Sequence, residues 1–193
     1  MSHNDWESVI GLEVHAQLST KSKIFSPDGT EFGVQDNSQV HPVSLGLPGT
    51  LPVLNQEVLN LATLIGLSLN CQVNLRSVFA RKNYFYPDLP KGYQISQFDE
   101  PLCERGFLEF FFQGSPIRID IVRAHLEEDA GKSIHLGDST LLNFNRAGIP
   151  LLEIVSAPKI HSPAVAAEFV RQLRRTLRYI NACDGNLEEG SLR

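Results

Sequence analysis

Two side chains near the start of the chain, Glu13 and His15, are candidates for binding a cation or a phosphate together. Apolar and polar residues alternate over residues 9–18, which predicts a strand with one buried face. Residues two apart on a strand share a face and stand roughly 6.5–7 Å apart. A carboxylate and an imidazole at that spacing could both reach one metal ion or phosphate. This stretch is the first candidate site.

A second candidate is the run of three carboxylates Glu127, Glu128 and Asp129. It ends an apolar stretch over residues 117–128 that predicts a strand. The residues expected on one face of that strand are Ile117, Ile119, Ile121, Arg123, His125 and Glu127. Adjacent carboxylates repel one another, and a hard cation such as Mg²⁺ would relieve the repulsion. An acidic hairpin tip in solvent is the open alternative.

Basic side chains that could meet an anion lie in two loops. Residues 81–97 contain two prolines, one glycine and three tyrosines, and they carry Lys82 and Lys91. Prolines restrict the unfolded chain, so such a loop can hold lysines in fixed places. The alternative is an aromatic turn that covers the edge of the core, with its lysines in water. Arg146 precedes Gly148 in a turn that could also face an anion.

These side chains require a scaffold of strands with a few helices. One helix is predicted from the N-cap Asn55 to Gly66, and another begins at the N-cap Ser162 and runs to Ile180. Predicted strands cover residues 75–80, the antiparallel pair 108–112 and 117–128, and a further pair 140–145 and 150–156. Residues 21–53 form a long loop that includes His41, either solvated or a ligand. The fold class is therefore α+β with a mainly antiparallel sheet.

Composition restricts the class of protein. The 193 residues are 42% hydrophobic and 20% charged, typical of a globular domain, and 17 basic against 22 acidic residues argue weakly against a chain that mainly coats nucleic acid. One predicted helix face is locally basic despite this balance, because it carries Arg171, Arg174, Arg175 and Arg178. This face could be solvated, or it could bind RNA or an acidic partner.

The cysteines and the hydropathy bear on the compartment. The three cysteines are odd in number and widely spaced, so neither a disulfide framework nor a cysteine zinc site is indicated. The sequence shows no secretory signal and no stretch near the roughly 18 apolar residues of a membrane span. We expect a cytoplasmic protein that does not bind membranes.

Five stretches together resemble the B subunit of the bacterial and organellar aspartyl/glutamyl-tRNA amidotransferase and its archaeal E-subunit relative. They are residues 9–18, 81–97, 125–132, 143–156 and 184–193, matching in order and spacing. The run Lys-Asn-Tyr-Phe-Tyr-Pro-Asp-Leu-Pro-Lys-Gly-Tyr-Gln is the most distinctive. Because the resemblance extends through essentially the whole chain, the sequence is identified as a member of that family.

The resemblance implies an ATP- and Mg²⁺-dependent ligase. Such a protein phosphorylates the side-chain carboxylate of glutamate or aspartate mischarged on tRNA(Gln) or tRNA(Asn), and ammonia then displaces the phosphate. The family's amidase A subunit makes the ammonia from glutamine, and a small C subunit completes a heterotrimer. The implied fold is a cradle likened to glutamine synthetase and guanidino kinases. Two rivals are a non-catalytic scaffold that docks the amidase and a magnesium-dependent phosphotransferase for a small molecule.

Family roles carry over to matching positions. The resemblance implies metal-site roles for Glu13, His15, Glu127 and Glu128, catalytic roles for Glu128, Lys82 and Lys91, ATP contacts for Lys82 and Arg146, and an ammonia path along Tyr84 and Lys91. Asn143 stands where the family often has an acid.

The resemblance also implies how much of the family's protein is present. Beyond Arg193 the family continues with a Cys-Asp pair whose aspartate belongs to the metal site. We therefore expect residues 1–193 to be a single cradle domain, truncated at its C-terminus, without the tRNA-binding helical and tail domains. Such a fragment is expected to be inactive alone.

Overall fold

The computed structural model describes residues 6–193. In that range the strands are β1 Glu13–Gln17, β2 Gln72–Val73, β3 Ala80–Asn83, β4 Tyr93–Ser96, β5 Cys103–Phe112, β6 Ser115–Glu128, β7 Lys132–Leu136, β8 Ser139–Asn143 and β9 Pro150–Ser156. The helices are α1 Pro42–Leu45, α2 Gln56–Ser68 and α3 Pro163–Tyr179. Each pairing between these strands is antiparallel, which confirms the predicted α+β class.

The main sheet has the strand order β1-β9-β6-β5-β2, and β3-β4 and β7-β8 form separate two-stranded sheets. The first strand therefore pairs with the last, and β9 lies between β1 and β6. In this register His15 is opposite Glu153, and Glu153 is opposite His125. Directly opposite side chains point to the same face of a sheet. The sheet thus aligns polar residues from three distant parts of the sequence.

One face of the main sheet is covered by the two longer helices. The strand residues buried there include Val14, Ala16, Ala124, Leu126, Leu152 and Ile154, and the helices add Val58, Ala62, Ile65, Phe169, Leu173 and Leu177. Burying each large aliphatic or aromatic side chain contributes about 1.5–3 kcal/mol before the cost of ordering it. This burial holds β1, β9 and β6 in the register that aligns their polar faces.

Both predicted helices form. The Asn55 side chain caps α2 by accepting a hydrogen bond from the Glu57 amide at 2.9 Å, and Pro163 follows the N-cap Ser162 at the start of α3. The prediction that α2 ends at Gly66 was wrong by two residues, since the helix continues to Ser68. Gly66 instead permits close packing, because a methyl group there would lie 2.3 Å from Cys103 Sγ.

The predicted β5–β6 hairpin is confirmed. Its turn is Gln113–Gly114, with φ angles of 51° and 81°, as a two-residue turn of the primed type requires. The prediction that residues 117–127 of odd number share one face was wrong. A register shift between Ile121 and Arg123 puts one extra residue on β6 relative to β9. Ile121 therefore faces the core, whereas the odd-numbered residues from Arg123 onward face away from the helices.

Two other predictions of strands were wrong. Residues 75–79 are not a strand, and Leu75 is fully exposed. The ladder forms further along, where β3 and β4 pair within the stretch expected to be a loop. All four residues of β3 are exposed, so this strand has no alternating pattern that the sequence could reveal.

The predicted pairing of residues 140–145 with 150–156 was also wrong. β8 pairs with β7 in a hairpin that turns at Gly137, while β9 pairs with β1 and β6. Six of the seven residues of β9 are buried, as expected of a central strand covered on both faces.

The long segment before α2 is fixed by a buried ion pair. The Lys23 side chain is fully buried, its Nζ lies 3.5 Å from Asp28 Oδ2, and it donates to the Gln39 carbonyl at 2.7 Å. Asp28 also accepts hydrogen bonds from Ser44 Oγ and the His41 amide. Burial lowers the pKa of Lys23, while the hydrogen bond from Ser44 is the largest influence that lowers the pKa of Asp28. The segment is anchored rather than loosely attached.

His41 and the cysteines have structural positions. His41 Nδ1 accepts a hydrogen bond from the Val43 amide at the start of α1. Cys71, Cys103 and Cys183 are buried and unpaired, and burial raises the pKa of each thiol, which keeps them unreactive. Over residues 6–193 no helix combines the length and apolarity that crossing a bilayer demands.

Candidate active site

Three side chains from three adjacent strands meet on the face of the sheet that lies away from the helices. His15 Nε2 is 3.1 Å from Glu127 Oε1 and 3.1 Å from Glu153 Oε2. Both carboxylates are almost buried, whereas His15 is partly exposed. We call these three residues the histidine–carboxylate cluster. Of these three side chains, His15 is the one that is accessible to solvent.

The charge balance of this cluster depends on the imidazole. Hydrogen bonding to Glu127, and next to Glu153, raises the pKa of His15 to about 9 despite its partial burial. The same contact lowers the pKa of Glu153. Without another cation, a proton on His15 therefore offsets one of the two negative charges of the buried carboxylates at pH 7.

The cluster also fits a divalent cation. One ligand atom from each of the three residues lies within 4.8 Å of the others. Carboxylate oxygens suit Mg²⁺, and an added imidazole nitrogen suits Mn²⁺ or Zn²⁺ as well. A cation at this place would take over the charge that the His15 proton supplies, since a metal binds the neutral imidazole. The donor set therefore supports the metal site that the sequence predicts for His15 and Glu127.

Glu128 lies on the opposite face, next to the loop lysine. Both of its carboxylate oxygens accept hydrogen bonds from Lys91 Nζ, and Oε1 accepts another from the Ile95 amide at 2.8 Å. Burial raises the pKa of Glu128, and Lys91 opposes that rise. Gly46 makes room for the lysine, because a methyl group there would lie 2.5 Å from Lys91 Cγ. The pair is a closed, buried salt bridge.

The third carboxylate of the run, Asp129, has a different partner again. Its Oδ1 accepts a hydrogen bond from Arg193 at 2.7 Å, and its Oδ2 lies 3.6 Å from Arg146 Nε. Arg146 also donates to the carbonyl oxygens of Ala130 and Gly131. The arginine thus holds the backbone that follows the acidic run.

The remaining predicted residues lie nearby but outside the cluster. Glu13 is exposed, two residues before His15 on the same face, and is not one of the three grouped ligands. Lys82 is exposed on β3. Tyr84 is half-buried, and burial followed by the charge of Asp88 and of the three carboxylates raises its pKa. Tyr84 is therefore close enough to feel the acidic end of β6.

Two cavities adjoin these residues. A cavity of about 630 Å³ is lined by residues that include Gln17, Lys132, Asn143, Arg146 and Ser191. A smaller one, about 70 Å³, lies beside Lys91 and Tyr93. Asn143 itself donates a hydrogen bond to the Asp36 side chain at the rim of the larger cavity. The acidic run at the end of β6, residues 127–129, is thus flanked by two cavities of very different size.

Sequence reasoning missed Glu153, the third member of the cluster. Its signal was present, because it is a single charged residue within the apolar run Leu151-Leu152-Glu153-Ile154-Val155. A carboxylate inside a strand covered on both faces needs a partner or a cation. Buried Lys23 was missed as well, because a lysine is almost never fully buried without a partner and its partner Asp28 is recognisable only in the structure.

The antiparallel sheet brings two buried carboxylates and a histidine together on one face as a candidate cation site, and a buried lysine–carboxylate pair lies on the other. Comparison with known sequences gives the family. Residues 8–193 match the family described as the GatB/GatE catalytic domain, and the chain belongs to that family.

Similar proteins from several bacteria carry one name. The chain is 58% identical over 193 residues to the B subunit of the aspartyl/glutamyl-tRNA(Asn/Gln) amidotransferase of Bdellovibrio bacteriovorus, covering 100% of this chain and 40% of the relative. It is 58% identical over 189 residues to the equivalent protein of Thermodesulfovibrio yellowstonii and 56% identical over 191 residues to that of Halorhodospira halophila, each time covering 97% of this chain and 40% of the relative. The chain thus spans two fifths of the length of these relatives.

Proposed function

We propose that this chain is the kinase and amidation module of a tRNA-dependent amidotransferase. It would use ATP and Mg²⁺ to phosphorylate the side-chain carboxylate of Glu-tRNA(Gln) or Asp-tRNA(Asn), and ammonia from an amidase A subunit would replace the phosphate. The relatives' shared name supports the substrate class. The observation that carries the proposal is the histidine–carboxylate cluster, because it is a ready cation site in a domain of that family.

His15, Glu127 and Glu153 would hold the Mg²⁺. When bound, the cation supplies neutralisation of the charge on the transferring phosphoryl group. The protein's own contribution is positioning: the register of β1, β9 and β6 fixes the three ligands before substrate arrives. The substrate carboxylate attacks the γ-phosphorus, ADP leaves, and an acyl phosphate remains on the aminoacyl group.

Glu128 and Lys91 would serve the amidation half of the reaction. Ammonia attacks the carbonyl carbon of the acyl phosphate, inorganic phosphate leaves, and one proton must be removed from nitrogen. Glu128 would accept that proton, because burial raises the pKa of its carboxyl group, while Lys91 opposes the rise. The cavity of about 70 Å³ beside Lys91 is our candidate for the end of the ammonia path, with Tyr84 nearby.

The larger cavity is our candidate for the nucleotide. At about 630 Å³ it falls within the range of small-molecule sites, roughly 300–1,000 Å³. Lys132 and Arg146 line it, while Asp184, Glu188 and Glu189 make its rim acidic. A triphosphate would therefore need its cation to enter. Lys82 is exposed on β3, and a contact with the phosphates is the role that we propose for it.

The edge of the main sheet offers a place for a further metal ligand from a longer chain. The His15 amide donates to the Arg193 carbonyl and the Arg193 amide to the His15 carbonyl, so the last residues run antiparallel beside β1. Continued in this register, the second residue after Arg193 would lie opposite Glu13 on the face of His15. We therefore propose that this cradle-like domain gains a further ligand there in its longer relatives.

The test is phosphate transfer in the assembled amidotransferase. With ATP labelled in its γ-phosphate and Glu-tRNA(Gln) or Asp-tRNA(Asn) as acceptor, Glu127→Gln and Glu153→Gln should abolish transfer and leave glutamine hydrolysis intact. Glu109→Gln, which alters an exposed carboxylate on β5, is the matched control. Unchanged phosphate transfer in both site variants would refute the site and favour a scaffold that only docks the amidase. Phosphorylation without mischarged tRNA would favour a small-molecule phosphotransferase.

A further inference from the structure

A basic groove lies at the C-terminal end of α3 and shares Asp184 with the cavity of about 630 Å³. It has a volume of about 680 Å³ and is lined by Ser19, Arg174, Arg175, Arg178, Tyr179, Asn181, Cys183 and Asp184. Its three guanidinium groups face one carboxylate, that of Asp184, in a chain whose net charge is -5. A concentration of positive charge against such a background favours an anionic partner.

Contacts with the loop that follows α3 hold two of these arginines in place. Arg174 Nε donates to the Gly185 carbonyl at 2.6 Å. Gly185 has a φ of 65°, and a methyl group there would lie 3.0 Å from Arg174 Cγ and 3.1 Å from Arg178 Cδ. The glycine thus lets the loop after α3 pass directly against both side chains, which fixes their stems.

Much of this charge is unpaired. In residues 6–193, Glu168 is the only carboxylate within 4.0 Å of an α3 arginine, at 2.8 Å from Arg171 and 3.9 Å from Arg175. Arg174 and Arg178 have no such carboxylate partner in that range. Two unneutralised guanidiniums side by side gain more from a phosphate than an exposed, paired arginine does, because no existing ion pair must break.

An exposed aromatic ring completes the surface. Tyr179 is the last residue of α3, is 90% exposed and lines the groove with Arg175 and Arg178. A tyrosine in water next to arginines offers a flat face for a nucleobase while the guanidiniums contact backbone phosphates. An acidic protein segment would satisfy the arginines and leave the ring without a partner.

We infer that this groove binds a single-stranded segment of RNA. The inference rests on the proposed function, which supplies tRNA as the substrate, and it adds a contact surface outside the catalytic cluster. Recognition here is by backbone charge and stacking, so we expect little dependence on base sequence.

The experiment measures fluorescence anisotropy of a labelled 12-nucleotide RNA of mixed sequence with the purified chain. Arg175→Glu combined with Arg178→Glu should weaken binding at least tenfold and reduce the slope of log affinity against log salt by about 1.4, two phosphate contacts at roughly 0.7 each. Tyr179→Ala should weaken binding roughly fivefold or more and leave the slope unchanged. Circular dichroism should show all variants folded, because the three side chains are exposed.

A matched control carries the same charge change elsewhere. Arg76→Glu combined with Arg105→Glu alters two exposed arginines outside α3 and should change affinity less than threefold. Equal loss in both double variants, or no loss in either, would overturn the inference. Displacement of the RNA by polyglutamate of equal charge, with no effect of Tyr179→Ala, would show an acidic-protein site instead.

The outcome is separable from that of the proposed function. None of these substitutions touches His15, Glu127 or Glu153. If RNA binding is unaffected while Glu127→Gln still abolishes phosphate transfer, the groove inference alone fails. If the groove variants lose RNA binding while Glu127→Gln leaves phosphate transfer unchanged, the catalytic assignment alone fails.

Discussion

Glu127 and Glu128 are neighbours in sequence, yet they point to opposite faces of the sheet and are neutralised by different groups. Glu127 pairs with His15, which also pairs with Glu153, while Glu128 accepts hydrogen bonds from Lys91 and the Ile95 amide. The alternation of side chains along β6 separates them, so the repulsion expected between adjacent carboxylates is reduced by direction as well as by partners.

The difference between the two faces lies in what can be exchanged. A lysine at pH 7 is a fixed charge, so the Glu128–Lys91 pair is complete as it stands. The His15 imidazole is neutral once its proton leaves, so a metal ion that binds the histidine–carboxylate cluster would take the place of that proton. One face therefore holds a permanent ion pair between Lys91 and Glu128. On the other face, a metal ion could replace the proton of His15.

Removing Lys91 should have the largest effect. Lys91→Met leaves Glu128 buried without its cation, and breaking one partner of a buried pair costs about 3–5 kcal/mol. We expect a loss of that size in the free energy of unfolding, measured by urea denaturation at pH 7. Adding Glu128→Gln to Lys91→Met should recover most of the loss. A drop below about 1 kcal/mol for the single variant would contradict a complete ion pair.

Removing one carboxylate from the other face should act on metal binding rather than on folding. Glu153→Gln deletes a ligand, and since loss of mere outer-shell partners costs 10–100-fold in metal affinity, we expect roughly 100-fold weaker Mn²⁺ binding by calorimetry. Glu128→Gln is the informative comparison, because a residue on the opposite face should change affinity little. Equal losses in the two variants would mean that both carboxylates serve one ion.

The cluster should also respond to pH. The pKa of His15 is raised from 6.5 to about 9, so its proton stabilises the metal-free fold fully below pH 6.5 and that stability is lost as the pH rises through 9. A metal must displace this proton, so Mn²⁺ affinity should rise about tenfold from pH 7 to pH 8. Titration calorimetry at both values checks the slope. A pH-independent affinity would exclude His15 as a ligand.

The smallest effect should come from the glycine that admits the lysine. Gly46 and Gly114 have φ angles of 66° and 81°, so alanine at either costs about 1–2 kcal/mol of backbone strain. Only at Gly46 would the new methyl also meet Lys91. Gly46→Ala should therefore destabilise the fold more than Gly114→Ala in urea. Equal effects would show that the lysine simply moves aside.

Local patterns predicted much of the fold. Alternation revealed β1, a polar turn revealed the β5–β6 hairpin, and caps revealed α2 and α3. The predictions that were wrong concerned strand pairing between segments distant in sequence. The pairing of β9 with β1 and β6, and the extra residue between Ile121 and Arg123, are set by packing across the sheet. A bulge changes no residue type, so periodicity cannot show it.

For the candidate site, residue types were enough to select His15 and the acidic run. Only the strand register shows which of these residues lie on the same face of the sheet. The sequence grouped Glu127 with Glu128, whereas strand alternation assigns them to different faces. Glu153 joins the cluster because β9 lies between β1 and β6, which no spacing in the sequence reveals. The family roles of all eight residues remain predictions: Glu13, His15, Lys82, Tyr84, Lys91, Glu127, Glu128 and Arg146.

The most direct test of the divided acidic run is a crystal structure of the protein soaked in Mn²⁺, with the ion located by its anomalous scattering. We predict one peak bonded to His15 Nε2, Glu127 and Glu153, with both Glu128 oxygens still on Lys91. A peak shared by Glu127 and Glu128, with Lys91 displaced, would contradict the assignment of the two carboxylates to separate tasks.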